Sequence, residues 1–350
     1  PRRDFLKYLG FSTAAAAVAA SCEVPVRKAV PYLNRPDSVI PGVANYYAST
    51  YVNGGDAISV VVKQRDGRPI KIEGNELSTI TNGGTNAQAQ ASVLDLYDNT
   101  RLRYPMQKDG KGFKEVTGFD AFDKMVGAAI AGKSVAILTS TVNSPSTLAI
   151  INEFLAKYPG SRHVQYDAVS YSGMIQANEA CYGKKAIPSY HFDNAKVIVS
   201  LGADFLGTWL SPTEFSGQYA KNRQVTGKKV ELSKHFQFES MMSMTGSNAD
   251  DRYTHKPSET GAVVLALAAK LGVAVSAPSI ADAKLAKGIE TAAAALNASK
   301  GTALVVCGSN DANIQVIVNA INEAIGANGT TINWAMTSNY KNGIDADMAK

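Results

Sequence analysis

Three cysteines and four histidines are the residues of this 350-residue sequence best suited to bind a metal ion or attack a substrate. They are Cys22, Cys181, Cys307, His163, His191, His235 and His255. The cysteines form no CxxC pair, and no two histidines have the i, i+4 spacing of a helical metal site. The sequence also contains no GxSxG nucleophile motif and no phosphate-binding P-loop. These residues therefore indicate no catalytic or metal centre, and Cys181 and Cys307 are predicted to be small buried side chains.

The amino-terminal segment, RRDFLKYLGFSTAAAAVAASC, has the form of an export signal. The pair Arg2 and Arg3 ahead of an alanine-rich stretch is typical of a twin-arginine signal, which exports proteins already folded. The apolar run is roughly half the length that a membrane-spanning helix needs. Small residues precede Cys22, as at a lipoprotein processing site, so Cys22 is a predicted lipid attachment point; the alternative is a small buried side chain. The segment predicts a protein on the periplasmic face of the bacterial inner membrane.

Net charge bears on the function of the whole chain, and proline content predicts the form of the segment after Cys22. The formal net charge is +5, and part of it comes from the amino end, so no basic patch for nucleic acid is indicated. Prolines at 25, 31, 36 and 41 prevent a helix or a central strand. Residues 23–45 are therefore predicted to be an extended linker, or an arm that lies on a partner.

A β-hairpin is predicted over residues 57–75, AISVVVKQRDGRPIKIEGN. Apolar and polar residues alternate on either side of Asp66-Gly67, a dipeptide that favours a two-residue hairpin turn.

That hairpin and the run that follows it, NGGTNAQAQASVLDLYDNTRLRYPM, resemble the amino-terminal region of the molybdopterin oxidoreductase superfamily. In that family three cysteines before the hairpin and a fourth in the glycine stretch bind a four-iron cluster. Here the segment before the hairpin has Tyr46, Tyr47 and Tyr51 but no cysteine, and the fourth position falls on or next to Asn86. An amide does not replace a thiolate as a ligand to iron. The resemblance implies that the surrounding structure is kept and the cluster is lost.

A lost cluster would leave a void, and voids in a protein interior cost packing energy. We therefore expect Tyr46 or Tyr47 to be buried against the hairpin strand that carries Val60 and Val62.

From residue 113 onward the sequence alternates between strands and helices. Strands are predicted at 134–141, 162–169, 195–203, 228–233, 302–309 and 331–338, and the strand at 134–141 is expected to be buried. Helices are predicted after Asn143-Ser144-Pro145 and at 172–183, 211–223, 258–272, 280–299 and 310–327. This alternation indicates an α/β fold with a doubly wound parallel sheet, preceded by the small β-rich unit.

Ligands in such sheets bind beyond the carboxyl ends of strands, which directs attention to SLGADFLGTWLSP, residues 200–212. The run resembles the superfamily loop that approaches the pterin cofactor, and the family's usual spacing places the metal ligand near Ser170. Basic side chains that could bind phosphate are sparse in the loop. We therefore predict a vestigial pocket without cofactor, metal or catalytic residue. Its expected members are Ser170, Gly202, Asp204, Gly207 and Trp209; the alternative is a plain strand-to-helix connection.

The combination of signals resembles the B-subunit family of bacterial alternative complex III, a quinol-oxidising membrane complex. The resemblance implies a signal at 1–22, a linker at 23–45, a β-rich unit at 46–112 and an α/β region at 113–350. It also implies a non-catalytic scaffold, with iron–sulfur clusters in a cysteine-rich region outside these residues and a chain that is incomplete at its carboxyl end. Its implied partners are a multihaem cytochrome and quinol-binding membrane subunits. The alternative is an active periplasmic molybdopterin reductase of the polysulfide or nitrate reductase type, with a serine-ligated metal.

Overall fold

A computed structural model describes residues 4, 7, 37, 39–53, 56–225, 227 and 231–349. The predicted export signal at Arg2 and Arg3, the predicted lipid site at Cys22 and most of the linker lie outside these described residues. None of the helices in the described part of the chain has the length and apolarity that crossing a membrane requires.

The predicted β-rich unit is an antiparallel sheet of three strands in the order β1-β2-β3. They are β1 (Ala44–Asn53), β2 (Asp56–Arg65) and β3 (Arg68–Gly74). Asp66 and Gly67 form the turn between β2 and β3 with φ of 51° and 78°, the left-handed values that a two-residue hairpin turn of this type needs. The predicted hairpin is confirmed. A small core of Ile58, Val60, Ile72 and Ala89 lies beneath it.

Three short elements lead from this unit toward the α/β region. They are α1 (Ala87–Ala91), which continues as a 3-10 helix (Ser92–Tyr97), the hairpin β4 (Met106–Asp109) and β5 (Gly112–Glu115), and α2 (Phe119–Ile130). No residue of β4, β5 or α2 is buried.

A two-stranded parallel sheet follows, formed by β6 (Ala136–Thr139) and β7 (Arg162–Gln165). Helix α3 (Pro145–Ala156) connects them and begins as predicted, since the Ser144 hydroxyl accepts a hydrogen bond from the Thr147 amide. The prediction of a buried strand at 134–141 is wrong in one respect. Strand β6 has only one neighbouring strand and is not covered on both faces, so that Leu138 remains 54% exposed.

The main α/β unit contains a four-stranded parallel sheet in the order β11-β10-β9-β12. Its strands are β9 (Val197–Leu201), β10 (Lys234–Glu239), β11 (Asp251–Thr254) and β12 (Ala303–Cys307), while β8 (Ile187–Tyr190) pairs antiparallel with β13 (Ile332–Ser338). Its helices are α4 (Ser172–Tyr182), α5 (Pro212–Lys221), α6 (Met244–Ser247), α7 (Thr260–Lys270), α8 (Ala283–Ala298), α9 (Ala312–Ala324) and α10 (Asp345–Met348).

The strand order confirms the predicted doubly wound sheet. The chain proceeds from β9 outward through β10 to β11, then returns to place β12 on the other side of β9. With right-handed crossovers, such a reversal places helices on both faces of the sheet. The largest hydrophobic core lies around this sheet, where β9 and β12 are buried along their whole length.

Two sequence predictions are wrong in this unit. The strand expected at 228–233 lies instead at Lys234–Glu239; residues 231–233 are not in a strand, and 228–230 lie outside the described residues. Strand β10 has polar residues at alternate positions, His235, Gln237 and Glu239, a pattern typical of a surface strand. In the structure these side chains are buried and hydrogen bonded to one another. Cys181 is exposed because it lies on the outward side of the last turn of α4, whereas Cys307 is buried as predicted.

Candidate functional site

A cleft of about 950 Å3 lies where the β-rich unit meets the α/β region. One wall is the segment 80–88, which includes Gly84 and Asn86. The opposite wall comes from the loop after β9 and from α5 along its whole length, and it includes Gly207, Thr213 and Lys221. Val169, Met244 and Lys341 complete the lining. The structure therefore brings together the two segments in which the sequence indicated a vestigial site.

Asn86 has a structural role at this junction. Its Oδ1 accepts a hydrogen bond from the Ala89 amide at 2.9 Å, which caps the amino end of α1. Its Nδ2 lies 3.5 Å from Oγ1 of Thr213 on α5. The side chain at the expected fourth cluster position thus joins the β-rich unit to the α/β region.

The glycines of the same stretch allow backbone segments to approach each other closely. A Cβ on Gly74 would lie 1.9 Å from the carbonyl oxygen of Gly83, and one on Gly84 would lie 2.8 Å from that of Thr81 and 3.2 Å from Cγ2 of Thr213. A side chain on Gly74 or Gly84 would therefore clash with the neighbouring backbone. The glycine-rich stretch is therefore closed by its own backbone and by α5.

The expected filling of a void by tyrosine is wrong. Tyr46 and Tyr47 are 59% and 52% exposed. They lie on β1, an edge strand with only one neighbour, and the Lys63 ammonium lies 5.9 Å from the centre of the Tyr46 ring. Because the glycine stretch packs directly against its surroundings, no aromatic ring is needed to fill it.

The loop after β9 contributes to the cleft through Gly207, but its other predicted members have different roles. Asp204 Oδ1 accepts hydrogen bonds from the backbone amide and the hydroxyl of Thr245, at 2.9 and 2.8 Å, and so fixes the loop to α6. A Cβ on Gly207 would lie 2.2 Å from Oδ2 of Asp204, which accounts for the glycine. Trp209 was expected to line the crevice; it is instead 4% exposed and packs in the core against Tyr190.

Gly202 belongs to the point where the strand order reverses. It has a positive φ of 68°, and a Cβ on Gly308, just after β12, would lie 2.3 Å from its carbonyl oxygen. Backbone contact therefore fills the place between the ends of β9 and β12 where doubly wound proteins usually bind ligands. The cleft is displaced from this point toward the β-rich unit.

The family resemblance implies positions for a four-iron cluster and for the metal ligand of a pterin cofactor. The residues at these two positions do not provide the expected ligands. Strand β1 and the glycine stretch have no thiolate, and a four-iron cluster is bound by cysteines. Ser170 accepts a hydrogen bond from the Ser172 amide at 3.0 Å, and its neighbour Val169, not Ser170 itself, lines the cleft. Within the described residues, no group of three or more His, Cys, Asp or Glu side chains is placed to bind a metal ion.

Lys341 is a cleft residue that the sequence did not reveal. It is only 9% exposed, and its Nζ donates a hydrogen bond to the Val169 carbonyl at 3.0 Å. Burial lowers the pKa of Lys341 from its ordinary value, and the nearby Asp167 carboxylate opposes this effect. Lys341 follows β13, far along the chain from the other cleft segments, and no local pattern marks it.

The architecture is mixed α/β, with an amino-terminal antiparallel sheet and parallel sheets, and it is consistent with a molybdopterin oxidoreductase-like fold. No protein-family model matches the chain. In an alignment 296 residues long, which covers 79% of this chain and 41% of the relative, it is 25% identical to the menaquinone reductase, molybdopterin-binding-like subunit, of Nitratidesulfovibrio vulgaris strain Hildenborough. The chain thus spans about two fifths of the length of that curated relative.

A weaker likeness joins the chain to a solved structure. The X-ray structure of the formyltransferase/hydrolase complex from Methylorubrum extorquens, in complex with methylofuran, gives a TM-score of 0.42 at 13% identity. The likeness covers 63% of this chain and 56% of that one. A TM-score of this size supports no statement about fold or function.

Proposed function

We propose that this chain is a non-catalytic scaffold part of a quinol-linked membrane oxidoreductase, of the kind represented by the B subunit of alternative complex III. The relative is named as a subunit of a menaquinone reductase and as molybdopterin-binding-like, and this supports the assignment to a quinone-linked complex. The observation that carries the scaffold role is the use of Asn86 as a helix cap and as a contact between the two units.

The chemistry of the cluster position supports this role. A four-iron cluster needs soft thiolate ligands, and the corresponding segments offer tyrosine hydroxyls and an amide. Asn86 Oδ1 is occupied by the α1 cap and Nδ2 is directed to Thr213. A position that would bind a cluster in a redox-active protein here stabilises the junction between two structural units.

The assembly around the scaffold is part of the proposal. Arg2 and Arg3 would direct export of the folded chain, and a lipid on Cys22 would hold it at the periplasmic face of the inner membrane. Iron–sulfur clusters outside these 350 residues would carry electrons from quinol toward a multihaem cytochrome, with quinol-binding membrane subunits as further partners. Nucleic acid has no part in this function.

Genetic complementation distinguishes the proposed scaffold function from the alternative, an active molybdopterin reductase. A strain that lacks the gene should lose quinol-oxidising activity in its membranes, and the wild-type gene should restore it. S170A should restore it equally well, because Ser170 does no chemistry and only accepts a hydrogen bond from Ser172. S144A, which removes a comparable hydroxyl cap from α3 far from the cleft, is the matched control. Loss of activity with S170A but not with S144A would contradict the scaffold role and would favour a serine-ligated metal.

A further inference from the structure

Lys341 is a buried cation of the cleft, and no carboxylate in the described part of the chain makes an ion pair with it. Lys341 is 9% exposed and lines the cleft. The partners found for its ammonium are the Val169 carbonyl oxygen at 3.0 Å and the face of the Tyr171 ring, whose centre lies 5.9 Å away. Neither partner is charged. A buried ammonium is costly unless an anion or several acceptors compensate it.

The nearest carboxylate is already engaged by other donors. Asp167 accepts hydrogen bonds from the amide and hydroxyl of Thr141, at 3.0 and 2.6 Å, and from the Gly343 amide at 3.0 Å. It attracts Lys341 electrostatically, but among the described residues it makes no ion pair with it within 4.0 Å. The Lys341 ammonium therefore retains hydrogen-bonding capacity toward the cleft.

The other charged residues of the lining limit the charge that a bound anion can carry. Lys221 is paired with Asp193 at 3.2 Å. Glu214 contributes a negative charge and accepts a hydrogen bond from Gln218 at 3.0 Å. One uncompensated positive charge next to one carboxylate suits a monoanion better than a dianionic phosphate, which would need further cations.

The remaining lining suggests an apolar ligand body with a polar contact. Ile80, Leu206 and Met244 give the cleft apolar walls. Thr85 also lines the cleft, and its Oγ1 is buried without a hydrogen-bond partner among the described residues.

We propose that the cleft is a binding site for a small organic monocarboxylate, with its carboxylate held by Lys341 and its apolar body between the two walls. This rests on the proposed function, since a pterin cofactor would need the same space.

The test is a calorimetric titration of the purified chain with benzoate, benzamide and inorganic phosphate. Benzoate should bind saturably, whereas benzamide, its neutral isostere, and phosphate should bind more weakly. K341M should weaken benzoate binding roughly tenfold or more, because a charge-assisted hydrogen bond is lost. K221M alters a cation of the same lining that already has a carboxylate partner, and it should weaken benzoate binding far less than K341M does.

Three results would overturn the proposal: no saturable benzoate binding, equal benzoate affinity in K341M and wild type, or tighter binding of phosphate than of benzoate. Circular dichroism establishes that K341M is folded, and the benzoate to benzamide comparison needs no variant. Molybdenum or tungsten in the same preparation would refute the proposed function. Absence of benzoate binding in metal-free protein would refute only the carboxylate site.

Discussion

The Asn86 amide lies 3.5 Å from the Thr213 hydroxyl, across 127 positions of sequence and across the junction between the β-rich unit and the α/β region. The same side chain caps α1 through Ala89. The residue at the expected fourth cysteine position is therefore part of the packing between the units, and the cleft opens beside it.

Substitution of Asn86 should reduce stability through the lost cap. N86A should lower the free energy of unfolding by about 1 kcal/mol, because the Ala89 amide loses its acceptor. N86D keeps an acceptor for Ala89 and should lose less. Urea denaturation followed by circular dichroism measures both, and an unchanged midpoint for N86A would show that the cap is unimportant.

Gly308 should tolerate no side chain. A Cβ there would lie 2.3 Å from the Gly202 carbonyl oxygen, at the place where the strand order reverses. G308A should therefore destabilise the protein by about 1–3 kcal/mol. G261A, in the first turn of helix α7 where the nearest atom would be 4.0 Å away, is the matched control and should change stability by no more than about 0.5 kcal/mol. Equal urea midpoints for the two variants would contradict this account of the sheet.

Acidification should destabilise the protein through His235. Burial lowers the pKa of His235 to about 4, from 6.5 in an exposed chain, despite its hydrogen bond with Gln237. Between pH 6.5 and 4 the unfolded chain binds more protons than the native protein, so the free energy of unfolding should fall as pH falls through this window. The total loss is at most about 3 kcal/mol.

Two variants test whether His235 is the group that causes the loss of stability at low pH. Asp250, Arg223 and Glu239 are the charged groups nearest to His235. Hydrogen bonds hold the pKa of Asp250 and Glu239 below their ordinary values in spite of burial, so these carboxylates also lose stabilising charge as pH falls, toward the acid end of this window. H235Q should flatten the slope between pH 6.5 and 4, while H163Q, a control in β7, should keep it. A slope that survives in H235Q would refute the assignment.

The ion pair between Arg252 and the buried Glu239 carboxylate should contribute to the stability of the folded protein. Glu239 is 4% exposed and bonds to Arg252, Ser243 and Gln237. R252M leaves a buried carboxylate without its counter-ion and should cost about 3 kcal/mol at neutral pH. The double variant E239Q/R252M removes the stranded charge and should recover part of that loss. A double variant that is less stable than R252M would show that the ion pair is not the source of the effect.

Local sequence signals predicted the elements of the fold well. The Asp66-Gly67 turn and the helix start at Asn143-Ser144-Pro145 each depend on a few neighbouring residues, and the structure has both of them. Strand β10 was misplaced because His235, Gln237 and Glu239 satisfy one another inside the core, a network that no hydrophobic pattern reveals.

The candidate site depends on residues that are distant in sequence, and it was predicted only in part. The glycine stretch and the loop after β9 were both chosen from sequence, and they do face the same cleft. Trp209 and Tyr47 were misplaced, since burial depends on which elements cover a side chain and not on its aromatic character. Lys341 reaches the cleft only because the segment after β13 packs on the loop that contains Val169.

Elemental analysis of the purified chain tests the central claim most directly. The scaffold account predicts that molybdenum, tungsten and iron are all near zero per chain of these 350 residues, because Asn86 and the β1 tyrosines offer no thiolate to iron and Ser170 bonds to Ser172 outside the cleft lining. About one molybdenum or tungsten atom per chain, or about four iron atoms per chain, would contradict it.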